Sequence, residues 1–250
     1  MSLREEPLIV ATSDIHSPRY LAIWRDALLE VCDSRRSFVL MIAGDIVDRG
    51  RAEAAELVER VLRECKSATK IVGVFGNDDF VETREAIRAA TPSVLWLDDE
   101  VASVELGGLR LDVLGSTGIL DELTNWQSRN APWLAEVYSK RLEMLRDFSL
   151  APRRVGTFRV VLFHYPPTTK TLIGEARWAW PQMGSRAAEK VISDGEVDIV
   201  VHGHAHKGKV PVARIGKAVV YNVSFPAIGG VREIVLRRQT TLEQLEEGEN

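Results

Sequence analysis

Asp14 and His16, Asp45 and Asp48, Asn77 and Asp78, His164, and His204 with His206 are side chains whose types and spacing suit shared chemistry. All five histidines of the 250-residue chain, His16, His164, His202, His204 and His206, fall in these clusters. Random placement would scatter them over helices and loops. Imidazole, carboxylate and amide oxygen without thiolate suit Mn, Fe, Zn, Ni or Co better than a hard Mg or Ca site, and Mn is favoured among them. The candidate ligands exceed what one ion takes. Two divalent ions about 3.5–4 Å apart, sharing a carboxylate, use them all. Such a pair clamps a phosphoryl group and lowers the pKa of a bridging water, so that hydroxide attacks phosphorus in line. The chemistry expected is hydrolysis of a phosphodiester or a small phosphomonoester.

These clusters follow apolar runs that read as buried strands. Leu8 to Thr12 precedes Asp14, Phe38 to Ala43 precedes Asp45, and Ile71 to Phe75 precedes Asn77. Arg159 to Phe163 precedes His164, and Val197 to Val201 precedes His204. Apolar residues at helical spacing separate the first three runs, at 21–31 and 57–65, which predicts βαβ units and a parallel sheet. Parallel strands share a carboxyl edge, where ligands bind, so distant residues converge there. Val101 to Leu106 and Leu109 to Leu114, joined by Gly107-Gly108, predict a hairpin. The spacing over 133–148 and 187–192 predicts two more helices, and 218–223 and 233–236 read as closing strands. Residues 116–131 show no period and are expected as a loop. Residues 165–184 form a long irregular insertion with Trp178, Trp180 and several prolines.

The blocks Asp14-Ile-His16, Gly44-Asp45-Ile-Val-Asp48-Arg49-Gly50, Gly76-Asn77-Asp78-Asp79, His164 and Gly203-His204-Ala-His206 resemble the calcineurin-like metallophosphoesterases, in the family's order. The resemblance implies an α/β fold, a four-layer αββα sandwich. It implies that Asp14, His16, Asp45 and His206 hold one metal, and Asp45, Asn77, His164 and His204 the other, with Asp45 bridging. Many relatives carry His where this chain has Asp78, although some prokaryotic members keep a GNxD pattern. That His protonates the leaving group or holds the phosphate. An Asp beside two cations stays ionised and donates protons poorly. Hence the expected preference is for good leaving groups, with Asp78, Arg49 and Asp48 as the catalytic candidates.

Several of these residues also suit blander roles. Asp14 and Asp45 also suit helix caps, and Asn77 suits a turn. Asp48 is expected to bond a ligand or Arg49, and Arg49 to bind phosphate or pair with Asp48. Asp79 is expected to orient loop backbone, and His202 to be structural. Lys207 and Lys209 read as solvated lysines beside the last ligand. Tyr165, Trp178 and Trp180 favour a satellite core over a stacking surface, and Lys170 and Arg177 are weak phosphate candidates.

Composition bounds the alternatives. With 32 Lys+Arg against 36 Asp+Glu, the formal charge is −4, which argues against nucleic acid as partner and so against a nuclease. A small phosphate ester, a nucleotide among the candidates, is the expected partner, and the oligomeric state is open. A metal-binding scaffold without catalysis is disfavoured because each ligand position is filled. No apolar run approaches the roughly 18 residues of a membrane span, and Met1 to Pro7 lacks the pattern of a signal peptide. Cys32 and Cys65 form no CxxC, so neither a disulfide nor a thiolate site is expected, and a cytoplasmic setting follows. One domain, residues 1–250 with an acidic tail at about 239–250, is the expected organisation.

Overall fold

Short β-branched and aliphatic runs alternate along their length between two apolar surroundings, and this sets the layering. The computed structural model describes residues 6–35 and 37–236 of the chain. Within these, the first sheet contains β1 (Leu8–Thr12), β2 (Phe38–Ala43), β3 (Ala68–Val74), β4 (Val94–Trp96) and β11 (Arg232–Val235), in the order β11-β1-β2-β3-β4. Strands β1 to β4 run parallel, and β11 closes one edge antiparallel. The second sheet orders β5 (Glu100–Leu106), β6 (Leu109–Ser116), β7 (Thr157–Phe163), β8 (Ile199–His202), β10 (Ala218–Asn222) and β9 (Val212–Ile215). Here β6, β7, β8 and β10 are parallel to their neighbours in that run.

The period of two along each strand sends alternate residues to opposite faces. Ile9, Ala11, Val39, Met41, Val72 and Val74 meet Leu111, Val113, Val160, Leu162 and Val201 in one core between the sheets. Leu8, Val10, Leu40 and Ile42 face the other way, onto Trp24 and Leu28 of α1 (Leu21–Ser34), Val58 and Leu62 of α2 (Ala55–Glu64) and Ile87 of α3 (Arg84–Ala90). On the far side, Leu114, Val161, Phe163 and Val200 pack on Tyr138 and Leu145 of the long helix Leu134–Leu150, and on Ala188 and Ile192 of the helix Arg186–Asp194. The result is the expected helix–sheet–sheet–helix sandwich. Strands β1, β2 and β3 present their carboxyl ends to the same rim as β7 and β8.

Two expectations need correction. Residues 116–131 include a helix, Asn125–Asn130, started by a reciprocal cap in which Thr124 accepts from the Gln127 amide and Gln127 accepts from that of Thr124. The capping-box signal was present in the sequence, but six residues are too few for an apolar period. Cys32 and Cys65 are joined by a disulfide. The absence of a CxxC said nothing about it, because α1 and α2 pack side by side and bring residues 33 positions apart to a Cα separation of 5.4 Å. Disulfides persist in oxidising compartments, so the cysteines lend no support to a cytoplasmic setting. Among the described residues, no helix is long and apolar enough to cross a membrane. The acidic tail and the first five residues lie outside the described residues.

Candidate metal centre

Each block follows a strand end, and cross-links between these turns fix the rim. The Asp14 amide donates to Gly44 O at 3.0 Å, His16 to Asp45 O at 3.0 Å, and Gly203 to His164 O at 3.1 Å. Asp14, His16, Asp45, Arg49 and His204 all have positive φ, between 42° and 64°. Non-glycine residues in that region cost free energy and concentrate at functional sites. Side chains emerging from such turns point off the sheet edge rather than along a face.

Two glycines give the ligands room. A Cβ on Gly203 would lie 2.6 Å from Asp14 Oδ2, and one on Gly44 would lie 2.8 Å from His164 Nδ1. Asp79, as expected of it, orients backbone. Its carboxylate accepts from the amides of Asp45 at 2.7 Å, Gly76 at 2.9 Å, Ile46 at 3.1 Å and Val47 at 3.2 Å. Burial lifts its pKa to about 6 against the pull of these donors, so it is ionised at neutral pH.

The donor atoms converge. One ligand atom each from Asp14, His16, Asp45 and His206 lies within 4.8 Å of the others. His206 Nε2 is 2.8 Å from Asp14 Oδ1, and His16 Nε2 is 3.7 Å from Asp45 Oδ2 and 3.9 Å from Asp14 Oδ1. The same Asp45 oxygen, Oδ2, lies 3.5 Å from His164 Nε2, which is 3.0 Å from Asn77 Oδ1. The His204 ring stands edge-on to His164, with centroids 5.0 Å apart. Every residue of the two expected ligand sets is thus at this rim.

The donor chemistry fits cations. His164 Nδ1 donates to Ala43 O at 2.9 Å, which leaves Nε2 as a lone pair facing the Asn77 oxygen. Two acceptors then face each other with no proton to share, and burial lowers the His164 pKa and keeps the ring neutral. His204 is pushed down to about 3, by burial first and then by the neighbouring His164 imidazole, since the two rings would repel if both were protonated. Both ring nitrogens of His16 are buried without a hydrogen-bond partner. Burial raises Asp45 well above the carboxylate range, reinforced by Asp79, Asp14 and Asp78. Burial acts in the same sense on Asp14, but the His206 hydrogen bond and the nearby imidazoles win and lower it. Burial also opposes the charged form of His206, yet the hydrogen bond and charge of Asp14, with Glu175 and Asp78 beyond, raise its pKa on balance. Crowded carboxylates, neutral imidazoles and orphaned nitrogens are what a site for positive ions requires.

The outer residues divide. His16 Nδ1 lies 3.4 Å from Asp78 Oδ2, and the imidazole lowers the Asp78 pKa although partial burial raises it. Asp48 pairs with Arg51 at 2.7 Å rather than with Arg49. The Arg49 side chain is exposed, and no described residue pairs with it. His202 is structural: Nδ1 donates to Gly203 O at 2.8 Å, and Nε2 accepts from Thr171 Oγ1 at 2.9 Å. The expected satellite core splits as well. Tyr165 is buried, Trp180 is partly buried and donates to Glu175 O, and Trp178 is 81% exposed. Lys170 bonds Arg214 O at 2.8 Å, and Arg177 lies over the Trp180 ring, so both have protein partners. Glu175 escaped the sequence reading. It sits in the insertion with no motif around it, yet accepts from the Lys207 amide at 2.7 Å.

A family model described as calcineurin-like phosphoesterase matches residues 7–208. No curated protein matches the chain. Among solved structures, the phosphopantetheinyl hydrolase of Mycobacterium tuberculosis is similar at a TM-score of 0.66 and 14% identity, covering 96% of this chain and 99% of that one. A 5'-nucleotidase structure from Staphylococcus aureus follows at 0.59 and 14%, over 94% of this chain and 51% of that one. The sulfate thiohydrolase of Thermus thermophilus scores 0.52 at 12% identity, over 92% and 56%. The chain therefore spans about half the length of the latter two. At these identities the likeness shows the fold, and the fold alone does not set the substrate.

Proposed function

The chain belongs to the calcineurin-like phosphoesterase family, and from that premise we propose that it hydrolyses a phosphodiester or small phosphomonoester with two divalent cations bound at the rim. The observation that carries this reading is the cluster of Asp14, His16, Asp45 and His206, with His164 and Asn77 facing each other beside it. Asp14, His16, Asp45 and His206 would hold one cation, and Asp45, Asn77, His164 and His204 the second. When bound, such a pair supplies positive charge that polarises a phosphoryl group and makes water a competent nucleophile near neutral pH. Mn is the favoured metal. Both sheets contribute ligands, so we read the chain as one catalytic domain.

The protein's own groups do the rest. Asp79 fixes the backbone on which Asp45 is mounted, and the Ala43 carbonyl fixes the His164 tautomer. Arg49 offers an exposed planar guanidinium, without a partner among the described residues, that suits two phosphoryl oxygens. Asp48, tied to Arg51, holds the turn that carries Arg49. Asp78 is held ionised and lacks a proton to give, which leaves leaving-group protonation to solvent and favours substrates with good leaving groups. Neighbours named as a phosphopantetheinyl hydrolase and a 5'-nucleotidase make small esters of this kind, nucleotides included, the first to try.

The test is a panel of aryl phosphodiesters and monoesters, 2′,3′- and 3′,5′-cyclic nucleotides and single-stranded DNA, run with Mn, Ni, Zn and Mg in turn. Metal-dependent turnover of a small ester is expected, fastest with aryl leaving groups. Turnover of DNA alone would favour a nuclease, and no turnover with any metal would leave a non-catalytic scaffold.

A further inference from the structure

The loop that carries the last two ligands is not held by its own strand alone. Residues 171–175 of the irregular insertion run alongside residues 202–209. Lys209 N donates to Ile173 O at 2.7 Å, Lys207 N donates to Glu175 Oε1 at 2.7 Å, and Thr171 Oγ1 meets His202 Nε2 at 2.9 Å. Gly174, at φ 116°, packs against the Lys207 carbonyl, where a side chain would collide. From the end of β10, Asn222 Nδ2 donates to Ala205 O at 3.0 Å.

Of these contacts, the one from Glu175 is the only side-chain carboxylate. It grips the residue directly after His206, and a charge-assisted bond of this length is about twice as strong as a neutral one. Glu175 is partly exposed, and among the described residues its carboxylate makes no hydrogen bond or ion pair to another side chain, the Trp180 indole bonding its main-chain carbonyl instead.

We propose that Glu175 is a positioning residue for metal binding: by accepting from Lys207 N–H it fixes the loop so that His206 presents Nε2 beside Asp14. The proposal rests on the metal-site reading above. The insertion then serves as a clasp on the ligand loop, and partners of this outer kind are worth about 10–100-fold in metal affinity.

The test measures Mn²⁺ affinity of the full chain by calorimetry for the wild type, Glu175→Gln and Glu175→Ala, with amide exchange of residues 203–209 in metal-free protein. Glu175→Gln keeps an acceptor and is expected to stay within about threefold of wild type in affinity, with unchanged exchange. Glu175→Ala is expected to lose about tenfold or more, with faster exchange across the loop and an unshifted melting temperature. If Glu175→Ala fails to fold, Glu175→Lys replaces it, since it too lacks an acceptor. Wild-type affinity and exchange in Glu175→Ala would overturn the role of Glu175 alone. A wild type that binds no Mn²⁺ would overturn the metal site itself, and the positioning role with it.

Discussion

In the proposed centre, Asp45 is the residue shared by both cations. It is buried, its Oδ2 lies 3.7 Å from His16 Nε2 and 3.5 Å from His164 Nε2, and it is held by Asp79 through its own amide. Asp45→Asn is therefore expected to cut kcat/KM by more than about 10²-fold and to lower metal stoichiometry rather than weaken one site; two ions retained with full activity would contradict this. Asp78 is the second informative position. Because His16 keeps it ionised, Asp78→His is expected to raise turnover of alkyl phosphate esters about tenfold or more while aryl esters change little. No gain on poor leaving groups would show that proton donation is not what Asp78 costs the enzyme. The candidate ligands stand out in the sequence because their types are rare and their blocks ordered. Glu175 was not, because an acceptor for a backbone amide can be almost any polar residue anywhere in the chain. The Arg51 partner of Asp48 was missed for a related reason: adjacency in sequence suggested Arg49, but Arg49 has a left-handed backbone, and the ion pair forms three residues along instead.

At the scale of elements, the strands with continuous apolar runs were read from the sequence within a few residues, since both faces of β1, β2, β7 and β8 are covered. Short or half-covered pieces such as β4, β9 and the helix Asn125–Asn130 were missed, because three to six residues cannot display a period. The last residue of β8 carries a testable pH dependence. His202 is fully buried, and burial lowers its pKa to about 4, against 6.5 for the free side chain. Between these values the unfolded chain binds the proton and the folded chain does not, so stability rises with pH. The contribution is present above 6.5 and is lost as pH falls towards 4. Asp79 titrates in the opposite sense between 3.8 and about 6, so the comparison must isolate His202. In metal-free protein, His202→Gln should show a shallower fall in unfolding free energy from pH 6.5 to 4 than the wild type. Equal slopes by denaturant titration at each pH would refute the assignment.

Across the whole molecule, the covalent tie and the catalytic rim are separate. Cys32 and Cys65 join α1 to the end of α2 on the outer face of the first sheet, among the residues packed on Trp24 and Leu28. Closing a loop of this span restricts the unfolded chain, typically stabilising by about 2–4 kcal/mol. Cys32→Ser is thus expected to lower the melting temperature by several degrees while Mn²⁺ affinity stays at the wild-type value; an unchanged melting temperature would mean that the bond does not form in solution. Alternating strands and helices predict βαβ units and a parallel sheet, the four-layer sandwich is what the family resemblance implies, and the disulfide required knowing which helices are neighbours.

The most direct test of the account is the number of cations the folded chain binds. Metal-free protein reconstituted with excess Mn²⁺, desalted and assayed for metal per chain should carry two, and His164→Ala should carry one. Two retained in His164→Ala, or none in the wild type, would contradict the paired centre on which the proposed hydrolysis rests.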